Sequence, residues 1–231
     1  MPETVPATAP ATAPGTRPSG RAPRRDAIRN DARVLEAARE VLAESGPQAS
    51  MEEIAARAGV GVGTIYRRFA SKDALIDALV GLVVDELAEA ADRALADSGG
   101  AGLQSLLVAL GESFAAHRRY AGLMFGRGDE GGAERIRGRI EELTRRSVEA
   151  GVLSPDTTAG DVMALVWSLR ALAEMTSDIA PDAWRRHLDI HLAGLSTPGS
   201  LSREPAMSAD QIRRISAVPT ADSRAPGPLE A

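Results

Sequence analysis

Apolar side chains recur at three- and four-residue spacing through the middle of the chain, and no strictly alternating stretch interrupts them. The first such segment runs from about Ala27 to Ser45, with Val34, Ala38, Val41 and Leu42 on one face, and Gly46-Pro47 stops it. SMEE follows, with Ser50 and Glu53 at capping-box spacing, ahead of a short helix that closes at Ala58-Gly59. A second short helix is predicted from about Val62 to Phe69. Ser71 is then the N-cap of a long helix from Lys72 to about Asp97, with Asp73 where the helix dipole favours an anion.

SGGAG at 98–102 breaks the pattern. Further helices are predicted over roughly 103–118, 120–126, 133–150, 158–178 and 181–195, with Pro181 in a first-turn position and a flexible GRGDEGG between the second and third. Residues 1–26, rich in Pro, Ala and Arg, read as a disordered arm. Residues 197–231 read as a disordered tail with room for one short helix, since SADQIRRI offers a Ser208–Gln211 capping box. The pattern therefore predicts an all-α fold, with a small helical head at 27–72 and a larger helical domain at 73–196.

Composition narrows the chemistry. Hydrophobic residues make up 44% of the 231 positions but aromatics only 3%, so the core is expected to be built from Ala, Leu, Val and Ile. With no Cys there are no disulfides, thiolate metal sites or cysteine nucleophiles. The formal net charge of −5 gives no global sign of a polyanionic partner, yet arginines at 17, 21, 24, 25, 29 and 33 face only Glu3, Asp26 and Asp31 in the same stretch. The longest apolar run, ALIDALVGLVV, contains Asp77 and is too short for a bilayer, and the N-terminus has no apolar signal region. A cytoplasmic protein with no membrane partner is expected.

The most informative stretch is AGVGVGTIYRRF, Ala58 to Phe69. Gly59, Gly61 and Gly63 could suggest a nucleotide-cradling loop, but a dinucleotide fingerprint needs a preceding strand and a further glycine where Thr64 stands. The preceding MEEIAARA is helical and no Walker lysine follows. The same residues fit a helix-turn-helix, with Gly59 in the turn and Val60 and Ile65 facing inward. Thr64 and Tyr66 then offer hydroxyls, and Arg67, Arg68 and Lys72 offer charge, to the phosphates of DNA.

SMEEIAARAGVGVGTIYRRFASKDALIDAL, together with the preceding VLEAAREVLAESGPQAS, resembles the DNA-binding region of the TetR family of transcriptional regulators. The resemblance spans about residues 30–80. It implies a homodimer that binds operator DNA, mostly as a repressor, and leaves it when a small ligand enters a variable helical C-terminal domain. Carried over by position, it implies groove-facing roles for Val62, Gly63, Thr64, Tyr66 and Arg68, and phosphate contacts from Ser50, Thr64, Tyr66 and Lys72. Where many relatives begin the reading helix with a polar side chain, this chain has Gly61, Val62 and Gly63, so hydrogen-bond readout is thin: Val62 offers apolar contact with a thymine methyl, and specificity is left to DNA shape or to the arginine arm. RRSVEAGVLSPDTTAGDVMALVW is similar, more loosely, to ligand domains of SbtR-like type.

Phe114, His117, Met124, Phe125, Met163 and Trp167 are candidates to line a ligand cavity. The helix at 158–178 is apolar on two sides, which calls for two packing partners. With Trp184, Leu188, Leu192 and Leu195 of the next helix it is expected to form a four-helix bundle with a second copy, Leu169 and Leu188 facing the mate. His187 and His191 form HxxxH, but no third ligand is evident, so neither a metal nor a cofactor is expected. GxSxG is absent and no Ser/His/Asp set falls in a catalytic motif, so the chain is not read as an enzyme.

Overall fold

The computed structural model describes residues 22–97, 100–120, 130–176, 178–199 and 201–216. Among these, nine α-helices and no strands occur. They are α1 (Ala22–Ser45), α2 (Met51–Ala58), α3 (Val62–Arg68), α4 (Lys72–Ala96), α5 (Gly102–His117), α6 (Glu130–Glu149), α7 (Ala159–Thr176), α8 (Ala183–Leu195) and α9 (Ala209–Ser216). Tight 3₁₀ turns at Gly46–Gln48 and Arg118–Tyr120 follow α1 and α5.

Two hydrophobic clusters form, one in each half of the chain. The first gathers Val34, Ala38, Val41 and Leu42 of α1, Ile54 and Ala55 of α2, Ile65 of α3 and Phe69. Leu75, Ile76, Leu79 and Val80 of α4 complete it, so the head extends into α4 beyond residue 72. The second cluster joins Ala91 and Ala94 at the far end of α4 to Leu103, Leu106, Leu107 and Leu110 of α5 and to α6, α7 and α8. Glycine sets the closest approach: a Cβ on Gly111 would overlap the ring of Trp184, and one on Gly102 would overlap the carbonyl of Ala94.

Several expectations shift. Helix α1 starts at Ala22, inside the stretch read as an arm, and α6 starts at Glu130 rather than 133. Residues 121–126 of the predicted 120–126 helix lie outside the described residues, as do Arg127, Gly128 and Asp129. The capping box Ser208–Gln211 is present, with Gln211 Oε1 accepting from Ser208 N at 2.8 Å. Its helix is docked, however: Ile212 is buried in the second cluster, and the Met207 carbonyl would lie 2.6 Å from a Cβ on Gly160. Met207 and α9 therefore pack against α7 instead of trailing as a tail.

The placement of Leu169 and Leu188 on an intermolecular surface is corrected. Leu169 is 0% and Leu188 1% exposed in the lone chain, and Trp184 fills the notch opened by Gly111. These side chains serve the domain's own core. What α7 leaves outside is a narrower strip of Ala164, Ser168, Ala171 and Met175, the last 83% exposed.

Candidate nucleic-acid interface

The reading head is held together by caps that the local sequence specifies. At the start of α2, Ser50 N donates to Glu53 Oε2 at 2.7 Å and Glu53 N donates to Ser50 Oγ at 3.1 Å. Two of the backbone donors at the helix start are thereby satisfied. The Ser50 backbone and hydroxyl hold the Glu53 carboxyl below its usual range, and Lys72 nearby adds to the effect. Helix α2 ends at Gly59, whose φ of 66° is left-handed and whose N–H donates to the carbonyls of Ala55 and Ala56. Arg33 of α1 donates to the Ala58 carbonyl at 2.8 Å and closes the turn from the other side.

Helix α3 begins at Gly61, where Thr64 N donates to the Gly61 carbonyl at 2.8 Å. Its only buried residue is Ile65, which pins the helix against α1 and α2. Everything else on α3 faces outward or sits at the margin. Val62 is 37% and Tyr66 47% exposed, Gly61, Gly63, Arg67 and Arg68 are exposed, and Thr64 is half-buried. Val60 is half-buried against the head's core.

Gly61, Val62, Gly63, Tyr66 and Arg67 are thus exposed on α3 and its first turn, with Thr64 half-buried among them. The other predicted contacts carry intramolecular partners. Arg68 Nε donates to Asp31 Oδ2 of α1 at 2.7 Å, and Lys72 Nζ donates to the Pro47 carbonyl at 2.6 Å. The Ser50 hydroxyl is engaged by Glu53. These bonds orient the groups without exhausting them, since an ammonium has three donors and a guanidinium five. Arg67 leans on Thr64, with Nη2 to Oγ1 at 3.3 Å.

Sequence reasoning missed the supports: Asp31 for Arg68, Arg33 for the turn, and the Arg57 fork that grips Glu40 and Glu44 at 2.9 and 2.6 Å. Each joins residues on different helices, so no local spacing marks it.

The ligand candidates separate. Phe114, Met163 and Trp167 pack in the second cluster, Met163 buried and the two aromatics half-buried. Met124 and Phe125 lie outside the described residues. His117 is buried at the junction of the two halves, its Nδ1 3.2 Å from Ser113 Oγ and its ring edge-on to Tyr120 with centroids 5.4 Å apart. Burial lowers the pKa of His117 and raises that of Tyr120, which the sequence reading had not singled out.

A short helix, a glycine turn and a second short helix presented on a three-helix head define a helix-turn-helix DNA-binding module. Residues 34–79 match the family model of bacterial regulatory proteins, tetR family. The TetR transcription regulatory protein from Mycobacterium vanbaalenii is 31% identical, with a TM-score of 0.59 over 74% of this chain and 98% of that one. A TetR transcriptional regulator from Streptomyces coelicolor is 29% identical, with a TM-score of 0.58 over 71% and 97%. A TetR family regulator from Thermus thermophilus, 22% identical, shares the fold with a TM-score of 0.56 over 71% and 98%. No curated protein matches the chain. The chain belongs to the TetR family of transcriptional regulators, which are DNA-binding proteins and not enzymes. Among the described residues no helix is long and apolar enough to cross a membrane.

Proposed function

We propose that this chain is a homodimeric transcriptional repressor that reads an operator through α3 and is released when a small molecule binds its C-terminal domain. The observation that carries the DNA-reading part is the state of the two glycines at the start of α3. A Cβ on Gly63 would meet nothing within 4 Å, and one on Gly61 would meet only Thr64 Oγ1 at 3.9 Å. Neither position has a positive φ. The fold of the head therefore does not demand glycine there. A surface that must let DNA approach closely does, because each added side chain would hold the backbone off the groove floor.

On this reading Val62 meets a thymine methyl, Arg67 supplies charge, and Thr64 and Tyr66 bond phosphates. Ser50, Arg68 and Lys72 contact the backbone from positions fixed by their internal partners. Two heads joined through the exposed strip of α7 and the neighbouring face of α8 address half-sites about 34 Å apart. Phe114, His117, Met163 and Trp167 of the C-terminal domain, with Met124 and Phe125, are the groups assigned to ligand contact.

Gel shifts on the DNA flanking the gene test the proposal. Expected is a salt-sensitive complex on one fragment, weakened for all fragments alike in Tyr66→Phe and redirected or lost in Gly63→Leu. Full binding by Gly63→Leu, which leaves the fold intact, would remove the argument from close approach.

A further inference from the structure

The chain has three histidines and no cysteine, and two of the histidines stand together on α8. The rings of His187 and His191 lie with centroids 4.0 Å apart, tilted by 48°. Each ring has one nitrogen at hydrogen-bond distance of an oxygen. Ser168 Oγ lies 2.8 Å from the Leu165 carbonyl and 2.9 Å from His187 Nε2; with its one proton on the carbonyl, the hydroxyl accepts from a protonated His187 Nε2. A lone pair is left on His187 Nδ1. His191 Nδ1 lies 2.9 Å from the His187 carbonyl, which only accepts, so this nitrogen is also protonated and the lone pair sits on His191 Nε2.

We propose that His187 and His191 form a bidentate imidazole site for a divalent transition metal such as zinc or nickel. Three features of the pair favour this. Imidazole nitrogen is a preferred donor for these ions. The second ring nitrogen of each histidine is held by a hydroxyl or a backbone carbonyl, the outer-shell arrangement that orients metal-bound histidines. Both side chains are reachable, His187 half-buried and His191 exposed.

Sequence spacing alone argued against a metal because no third ligand follows, and among the described residues no three His, Asp or Glu gather into a site. Tertiary structure changes the weighting by placing an oxygen partner on one nitrogen of each ring, that of His187 coming from α7. Remaining coordination positions go to water or to the same pair on a second copy. The pair borders the exposed strip of Ala164, Ser168 and Ala171, so a linkage of metal to dimer stability follows if the proposed dimer face is right. Metal binding itself does not depend on that reading.

The test is isothermal titration of zinc and of nickel into the full-length protein, purified without a histidine tag and stripped with chelator. Wild type should bind saturably with no more than one ion per chain. His187→Gln and His191→Gln should each weaken binding at least roughly tenfold, and Ser168→Ala by a factor of about ten through loss of the outer-shell bond. Wild-type titrations without saturable heat at millimolar metal, or equal binding by the double histidine variant, would overturn the site. Sedimentation with and without zinc reads the linkage. Histidine-dependent binding with no change in assembly would uphold the metal site and refute only the placement of the dimer face.

Discussion

The reading helix hangs on one side chain, and its removal should separate the head's stability from its contacts with DNA. Helix α3 is seven residues long, below the length at which a helix sustains itself in water. Ile65 is its only buried residue, 1% exposed and packed in the cluster with α1 and α2. Replacing a buried isoleucine by alanine costs about 2–5 kcal/mol, through lost transfer energy and the cavity left behind. The exposed Arg68–Asp31 pair cannot offset this, since such pairs contribute at most about 1 kcal/mol. The loss falls first on docking of α3, because α1, α2 and the start of α4 retain their mutual contacts.

Apparent affinity then falls with the fraction of heads still docked, tenfold for each ~1.4 kcal/mol by which the undocked form is favoured. Ile65→Ala is expected to bind operator at least tenfold more weakly while keeping most of its helical circular dichroism. Ile65→Val, costing about 0.5–1.5 kcal/mol, should fall between. Val62→Ala is the control: Val62 is 37% exposed, so the melting temperature should hold, and any loss of affinity there belongs to a DNA contact. Fluorescence anisotropy beside thermal melts measures both quantities. Wild-type affinity and melting in Ile65→Ala would refute the claim that this one residue docks the helix.

Lys72→Ala should lower the salt slope of DNA binding by about 0.9 without changing which operator is preferred; an altered preference would mean that Lys72 is not a phosphate contact. Ala171→Glu, exposed in the lone chain, should yield a folded monomer with weakened operator binding, whereas Leu169→Glu, in the core, should lose the fold; light scattering beside circular dichroism separates them, and a dimeric Ala171→Glu protein would refute the interface. His117 has a lowered pKa because burial disfavours its cation. Its contribution is therefore intact above its ordinary value of about 6.5 and declines as pH falls towards the folded-state value. His117→Gln should shrink the drop in urea midpoint between about pH 7.5 and about pH 5.5, and an unchanged drop would show that other groups carry it.

Much of the head was legible because its signals are local. Ser50 with Glu53, Gly59 in the turn and Ser71 before α4 each act within four residues, so spacing in the sequence is spacing in space. The same holds for Ser208 with Gln211. Docking of that last helix was not legible, because it depends on Gly160 making room for Met207, residues far apart along the chain. The Asp31 partner of Arg68 was hidden for the same reason, since it lies on another helix. The inward face of α7 was misassigned because apolar residues encircle it. Periodicity cannot rank Leu169 against Ala171 when both sides are hydrophobic. The distinction is set by which side of the helix meets α5 and α8 in the fold, so Leu169 is buried and Ala171 exposed.

On the proposed reading, a ligand in the C-terminal domain influences α3 only through structure that crosses between the two cores. Helix α4 is one such element, contributing Leu75 and Leu79 to the head's core and Ala91 and Ala94 to the other. The turn after α5 is a second: Tyr120 is buried in the head's cluster, and Arg119 Nη1 donates to the Glu44 carbonyl at 3.1 Å at the end of α1. Gly46, with φ 61°, lets α1 end against that turn, where a Cβ would stand 3.2 Å from the Arg119 carbonyl. Arg39 of α1 reaches Glu86 of α4 at 2.8 Å and completes the crossing. A rod and a docked turn constrain the head at two places, so displacing the end of α5 while α4 stays fixed would rotate the head, not merely translate it. Rotation is the change to which paired half-sites are most sensitive, because two reading helices held at one spacing fit the major groove together or not at all. The size of any such shift is bounded by the ligand's difference in affinity for the two arrangements.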